Sequence, residues 1–168
     1  MNTLIIYVSI HHRNTEKVAK VMAKTLEAEL TKPWGITPKE LLNYDLIGFG
    51  SGIYWWRHHW TLFKLVNSLP RVKGKKAFIF STAGMNIRWY NHRQLRRALE
   101  EKDFEIVGEF SCRGWDTNGW LAKIGGINKG HPDEKDLERA RRFANGLKRN
   151  LYPSCPEELE YTIKEWIG

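Results

Sequence analysis

The residues best suited to bind a charged group are Ser9, His11, His12, Arg13, Asn14 and Thr15, which lie between an apolar run and a helix-forming segment. Hydroxyls, an amide side chain and the exposed N–H groups of a helix start make an anion site, and Arg13 adds full charge. The loop is no P-loop, because G-x-x-x-x-G-K is absent, and it lacks the dinucleotide fingerprint. The glycines Gly48, Gly50 and Gly52 lie in and just after a later apolar run, with a different spacing. His11 and His12 have no carboxylate or further histidine at ligand spacing, so no metal is expected. Cys112 and Cys155 have neither metal spacing nor a disulfide framework and read as reduced thiols. No catalytic residue is assigned, since Cys112 has no recognisable base near it in sequence.

The elements that must position this loop follow from hydrophobic patterning. Residues 3–8 (TLIIYV), 45–50 (DLIGFG) and 76–81 (KAFIFS) are short apolar runs, as in strands buried on both faces. Asn14 is the expected N-cap of a helix whose apolar stripe is Val18, Val21, Met22, Leu26 and Leu30. Around residues 29–36, Pro33 and Gly35 allow only a short strand, and Thr37-Pro38-Lys39-Glu40 has the form of a capping box. Helices are expected over residues 60–69, from Asn91, and along the stripe Leu137, Ala140, Ala144 and Leu147. Residues 105–111 read as a fifth strand, and 112–131 as irregular. Strands alternating with helices predict a parallel α/β sheet, which binds ligands beyond the carboxyl ends of its strands. The loops to watch are therefore residues 9–15, 51–59, 81–91 and those from 111 onward.

Three of these loops resemble the flavodoxin-like family. Its first loop, T/S-x-T-G-N-T, holds the FMN phosphate. Asn14 and Thr15 match its last two positions, and Ser9 matches its hydroxyl-bearing start. Arg13 stands where the family has glycine, and His12 where it has a hydroxyl. Residues 44–54 (YDLIGFGSGIY) resemble the segment that turns beneath the flavin ring, with Gly52 replacing a frequent proline. Ser81, Thr82, Ala83 and Gly84 resemble the loop near the ring's other side. The later stretches Gly108-Glu109-Phe110-Ser111-Cys112 and Gly125-Gly126-Ile127-Asn128-Lys129-Gly130 are similar to one subgroup of flavodoxin-domain proteins.

The resemblance covers residues 1–150 and implies a doubly wound five-stranded parallel sheet, order 2-1-3-4-5, with helices on both faces. It implies FMN as cofactor, with Ser9, His11, His12, Arg13, Asn14 and Thr15 at the phosphate. Ser51, Gly52, Ile53, Tyr54, Trp55, Trp56, Ser81, Thr82, Ala83 and Gly84 would surround the ring. A flavin ring is apolar on its faces and polar along one edge, so aromatic residues on these loops suit it.

Composition bounds the rest. A chain of 168 residues with 42% hydrophobic and 27% charged residues fits one globular domain. It lacks the roughly 20-residue apolar run of a membrane span and a signal segment, which predicts a soluble, cytoplasmic protein. Residues 151–168 form an acidic tail, expected as a short helix with Leu159, Ile163, Trp166 and Ile167 on one side. The net charge of +8 departs from the acidic carriers of the family. It favours an acidic redox partner, or an anionic or membrane-borne acceptor such as a quinone. The expected function is therefore electron or hydride transfer, by a carrier or by a flavin-dependent reductase. The rival is a nucleic-acid-binding domain, suggested by Arg57-His58-His59-Trp60 and by Arg88-Trp89-Tyr90-Asn91-His92-Arg93. It matches no known binding module. A phospho-receiver domain would need an acidic pair after the first strand and an aspartate after the third, and has neither.

Overall fold

A computed structural model describes residues 2–117 and 119–151. Five parallel strands form the sheet: β1 (Thr3–Val8), β2 (Glu29–Thr31), β3 (Leu46–Tyr54), β5 (Lys76–Ala83) and β6 (Glu105–Arg113). Their order is β2-β1-β3-β5-β6, the doubly wound arrangement expected, and a two-residue strand β4 (Arg57–His58) pairs antiparallel with the end of β3. Helices α1 (Asn14–Leu26) and α5 (Glu134–Leu151) cover one face, while α3 (Trp60–Ser68) and α4 (Arg88–Glu100) cover the other. A short α2 (Pro38–Leu41) starts at the capping box, with Thr37 and Glu40 bonding each other's backbone.

Both faces of β1, β3 and β5 are buried over most of their length, and this explains their continuous apolar runs. Leu4, Ile6 and Val8 face α3 and α4, and Ile5 and Tyr7 face α1 and α5. Each fully buried large side chain contributes about 1.5–3 kcal/mol. The strand glycines belong to this packing. A Cβ on Gly48 would lie 2.3 Å from the Phe78 ring, and one on Gly50 would lie 2.2 Å from the Phe80 ring. These phenylalanines sit opposite in register, so glycine lets their rings cross β3.

Three local expectations are corrected. Asn14 does not cap α1. Arg13 holds the cap position at φ 55° without a side-chain hydrogen bond, and Asn14 is the first helical residue, its side-chain amide N–H donating to the distant Trp115 carbonyl. Residues 51–59 are not an open loop but a hairpin, with Trp55 and Trp56 as its two-residue turn. Their φ values of 51° and 67° define a left-handed turn usually made by Asn-Gly, so the tryptophans concealed it. Helix α4 begins at Arg88, not Asn91, which lies inside the first turn with its side-chain amide N–H donating back to the Met85 carbonyl.

The irregular stretch after β6 contains a 3-10 turn, Gly119–Ile124, closed by a bridge between Asp116 and Ile127. At the start of α5, Asp133 and Asp136 accept each other's backbone N–H. His131 Nδ1 lies 2.6 Å from the Asp136 carboxylate. These groups satisfy one another as the opening of a helix. The expected tail helix lies outside the described residues.

Candidate functional site

The carboxyl ends of β1, β3, β5 and β6 open onto one cleft with two parts. The inner part is a polar throat of about 40 Å³ bounded by Ser9, Asn14, Thr15, Tyr54, Thr82 and Trp115. The outer part is an apolar chamber of about 290 Å³ bounded by Trp55, Trp56, Met85, Gly119 and Leu121. Ile53, Ala83, Gly84 and Asp116 belong to both, so the two parts are continuous.

The throat is held by long-range hydrogen bonds. The buried Asn14 amide donates to the Trp115 carbonyl at 2.8 Å, tying α1 to the loop after β6. The hydroxyls of Thr15 and Thr82 meet at 2.8 Å in a buried contact between α1 and β5. Ser9 Oγ and Asn14 Oδ1 are buried and find no hydrogen-bond partner among the described residues. Such orphans in a polar recess fit a ligand that donates and accepts hydrogen bonds. His12 and Arg13 both adopt left-handed backbone, which wraps the loop over the end of α1. Asp116 packs against Gly84, where a Cβ would come within 2.6 Å of its carboxylate. Glycine therefore keeps the junction open.

The chamber is built differently. Trp55 is 89% exposed and Met85 is 58% exposed. Trp56 meets Tyr90 edge to face at 5.4 Å between centroids. Two tryptophans in left-handed backbone are rare, and bulky residues there store on the order of 1–3 kcal/mol each, commonly at functional sites.

The structure distributes the sequence candidates unevenly. Ser9, His11, Asn14, Thr15, Gly52, Ile53, Tyr54, Thr82, Ala83 and Gly84 line the throat, and Trp55 and Trp56 line the chamber. His12 turns aside, stacked on Trp115 at 3.8 Å and bonded to Thr117. Arg13 is exposed at the loop's edge. Ser51 and Ser81 lie one residue behind the cleft wall, bonded to His58 and His92. Sequence reasoning missed Ile10, Gly114, Trp115 and Asp116 as lining residues. Their signal was only that they follow strands one and five. Cys112 is buried, with its thiol pushed up to about 12 by burial and the nearby Asp136, so it stays protonated at neutral pH.

Among the described residues no helix is long and apolar enough to cross a membrane. A doubly wound sheet with a polar throat at the first strand–helix loop and an aromatic chamber beyond has its cleft where α/β sheets of this kind bind ligands. The chain belongs to the flavodoxin domain family, which it matches over residues 4–112. Proteins of this family generally bind FMN. The chain is 47% identical over 151 residues to an uncharacterised protein of Methanocaldococcus jannaschii, covering 89% of this chain and all of that one. It is similar in fold to oxidised flavodoxin 2 from Bacillus cereus, with TM-score 0.68 and 20% identity, covering 89% of this chain and 99% of that one. A flavodoxin from the domain Archaea superposes with TM-score 0.64 at 17% identity, covering 89% and 98%.

Proposed function

We propose that the protein binds one FMN and transfers electrons or hydride between it and an acidic or anionic partner. The observation carrying this reading is the two-part cleft. Its throat offers hydroxyls, orphaned amide and hydroxyl oxygens and a helix start, the set a phosphorylated ribityl chain requires. Its chamber offers indole faces and room for a flat ring. Bound FMN supplies the capacity to accept and release one or two electrons.

The chain's own residues have separable tasks. Thr15, Thr82 and the N–H groups at the start of α1 hold the anionic end, and Asn14 fixes the loop that closes over it. Asp116 sits at the junction, where a carboxylate accepts from hydroxyl and N–H groups. Trp55 and Trp56 cover the ring end. Because Trp55 and Met85 remain exposed, the ring end stays open to a partner. Arg57, Arg88 and Lys123 are exposed and follow the chamber residues Trp56, Met85 and Leu121 closely along the chain, and the exposed Lys129 ammonium lies 5.9 Å from the Trp115 ring. They suit an acidic protein or an anionic acceptor, with association that weakens as salt rises. A carrier and a reductase of quinone-like acceptors share this surface. The nucleic-acid reading loses its stripe, because His58, Asn91 and His92 are buried.

Titration of flavin-free protein with FMN and with riboflavin tests the proposal. One FMN per chain, held more tightly than riboflavin, is the expected result. Equal affinity for both removes the phosphate assignment, and no binding of either overturns the function.

A further inference from the structure

Behind the cleft wall lies a buried polar cluster whose side chains do not line the cleft. His58 of β4 and His92 of α4 are both essentially inaccessible, and their rings lie 5.1 Å apart. Each histidine bonds a serine that immediately precedes a cleft-lining residue. His58 Nδ1 is 3.1 Å from Ser51 Oγ, next to Gly52, and His92 Nε2 is 2.8 Å from Ser81 Oγ, next to Thr82. Ser51 and Ser81 are themselves register partners on β3 and β5.

The hydrogen bonds fix the protonation of His58. Ser51 has one hydroxyl proton, and it donates that proton to the Gly52 carbonyl at 2.6 Å. It also accepts from the His59 N–H at 2.9 Å. Toward His58 it can therefore only accept, so the imidazole carries its proton on Nδ1. The other nitrogen, Nε2, is then a bare lone pair, buried and without a partner among the described residues. An uncompensated basic nitrogen in a closed site is costly unless the site is meant to take a proton.

The surroundings supply a route and a counter-charge. His92 Nδ1, also unpartnered by hydrogen bonds, lies 3.6 Å from the Glu109 carboxylate of β6. Arg96 of α4 approaches the same carboxylate at 2.6 Å, and Arg88 reaches the Glu109 carbonyl. Burial raises the Glu109 pKa, but His92 and Arg96 outweigh it and keep the carboxylate ionised. Glu109 is slightly exposed and connects the cluster to solvent. On the β4–α3 side, the flanking His59 is occupied with Thr61 and Arg57 lies against the Phe63 ring. Burial, with the neighbouring His92, pushes His58 well below the ordinary histidine range, so His58 rests uncharged at neutral pH.

We propose that the His58–His92 pair is a proton-holding site that takes up one proton from solvent, through Glu109, when the flavin beyond the ends of β3 and β5, where Ile53 and Ala83 border the chamber, is reduced. The inference rests on the FMN reading above. The electrons come from an external reductant, the proton from water, and the only bond formed is N–H on an imidazole. Negative charge arriving at the ring, across the low-dielectric ends of β3 and β5, draws the proton in; reoxidation expels it.

The test starts with FMN binding to the oxidised protein, so that failure of the cofactor reading is recognised first. Nitrogen-15 NMR of the histidines in flavin-free protein is expected to show His58 neutral with the proton on Nδ1. Dithionite reduction of the FMN-loaded protein at pH 7 is expected to convert one imidazole of the pair to the charged form. His58→Asn keeps an N–H donor for Ser51 without a titratable nitrogen, and His92→Gln keeps the bond to Ser81. In either variant the plot of midpoint potential against pH is expected to lose one break. Both histidines neutral after reduction, or the break retained in both variants, overturns the proposal. Should neither variant fold, the wild-type NMR decides alone.

Discussion

The throat and the chamber of the cleft are adjacent but built on opposite principles. The throat is tied by bonds between residues remote in sequence, Asn14 to Trp115 and Thr15 to Thr82, and the Asn14, Thr15 and Thr82 side chains are buried. The chamber rests on a strained turn whose first tryptophan is almost wholly in solvent. A preorganised polar recess binds a fixed charged group with little reorganisation. A strained, open aromatic edge suits a surface whose contacts change between ligand and partner. The throat should therefore govern discrimination between FMN and riboflavin, and the chamber should affect both flavins alike.

The largest expected effect comes from blocking the passage between the two parts. In Gly84→Val the new side chain meets the Asp116 carboxylate and Ile127, at 2.6 Å and 3.1 Å for the Cβ alone. Affinity for both flavins should fall more than about a hundredfold, equivalent to about 3 kcal/mol. Circular dichroism should be unchanged. Retained binding of either flavin would mean that the cleft is not one continuous site.

Thr15→Val comes next, and it separates the parts. It removes the hydroxyl facing Thr82 while keeping the shape. Loss of a hydrogen bond to a charged group costs about 1.5–3 kcal/mol, so FMN should weaken roughly ten- to a hundredfold. Riboflavin should change little. A parallel loss for riboflavin would place Thr15 in general packing and not at the phosphate.

The chamber predicts a trade of binding against stability. Replacing Trp55 by Asn and Trp56 by Gly gives the turn the residues its left-handed geometry favours. Relief of strain should raise unfolding stability by about 1–2 kcal/mol. Loss of ring stacking, worth about 0.5–1.5 kcal/mol, should weaken both flavins by about three- to tenfold and brighten flavin emission. Unchanged binding with the same gain in stability would leave the tryptophans as a partner surface only.

How much of this was legible in the sequence follows from how local each feature is. The central strands β1, β3 and β5 could be read because burial on both faces writes uninterrupted apolar runs, whereas the edge strands β2 and β6 carry a weaker signal. The throat could be read in part because Asn14 and Thr15 occur together at a helix start. The Asn14 cap was misplaced because the amide bonds a carbonyl 101 positions away, and no local pattern records that. The hairpin was missed because its turn carries tryptophans in place of Asn-Gly. The pairing of His58 with His92 was invisible for the same reason as the Asn14 bond. Each histidine sits in a basic, aromatic string that looks like exposed surface until the fold buries it.

The smallest expected effect lies at the border, on Tyr54. Its ring closes over Gly52, where a Cβ would lie 2.9 Å from the Tyr54 hydroxyl oxygen. Burial raises its pKa; a hydrogen bond from the Ile10 backbone pulls the other way, and the Asp116 charge adds to the rise. A phenol whose folded pKa exceeds its unfolded value of about 10 leaves stability intact below that pH. Stability then falls as pH climbs through the folded value, because the unfolded chain ionises first. Tyr7 and Tyr44 are raised as well, so the wild type alone cannot isolate the effect. Tyr54→Phe can: its unfolding free energy should decline less steeply above about pH 10 than that of the wild type. The same variant releases the Ile10 N–H beside the throat. FMN should then bind up to about threefold more tightly, a gain below about 1 kcal/mol, with riboflavin unmoved. If riboflavin shifts and FMN follows it equally, Tyr54 belongs with the tryptophans, and the border between the two parts moves inward to Ser9 and Thr15.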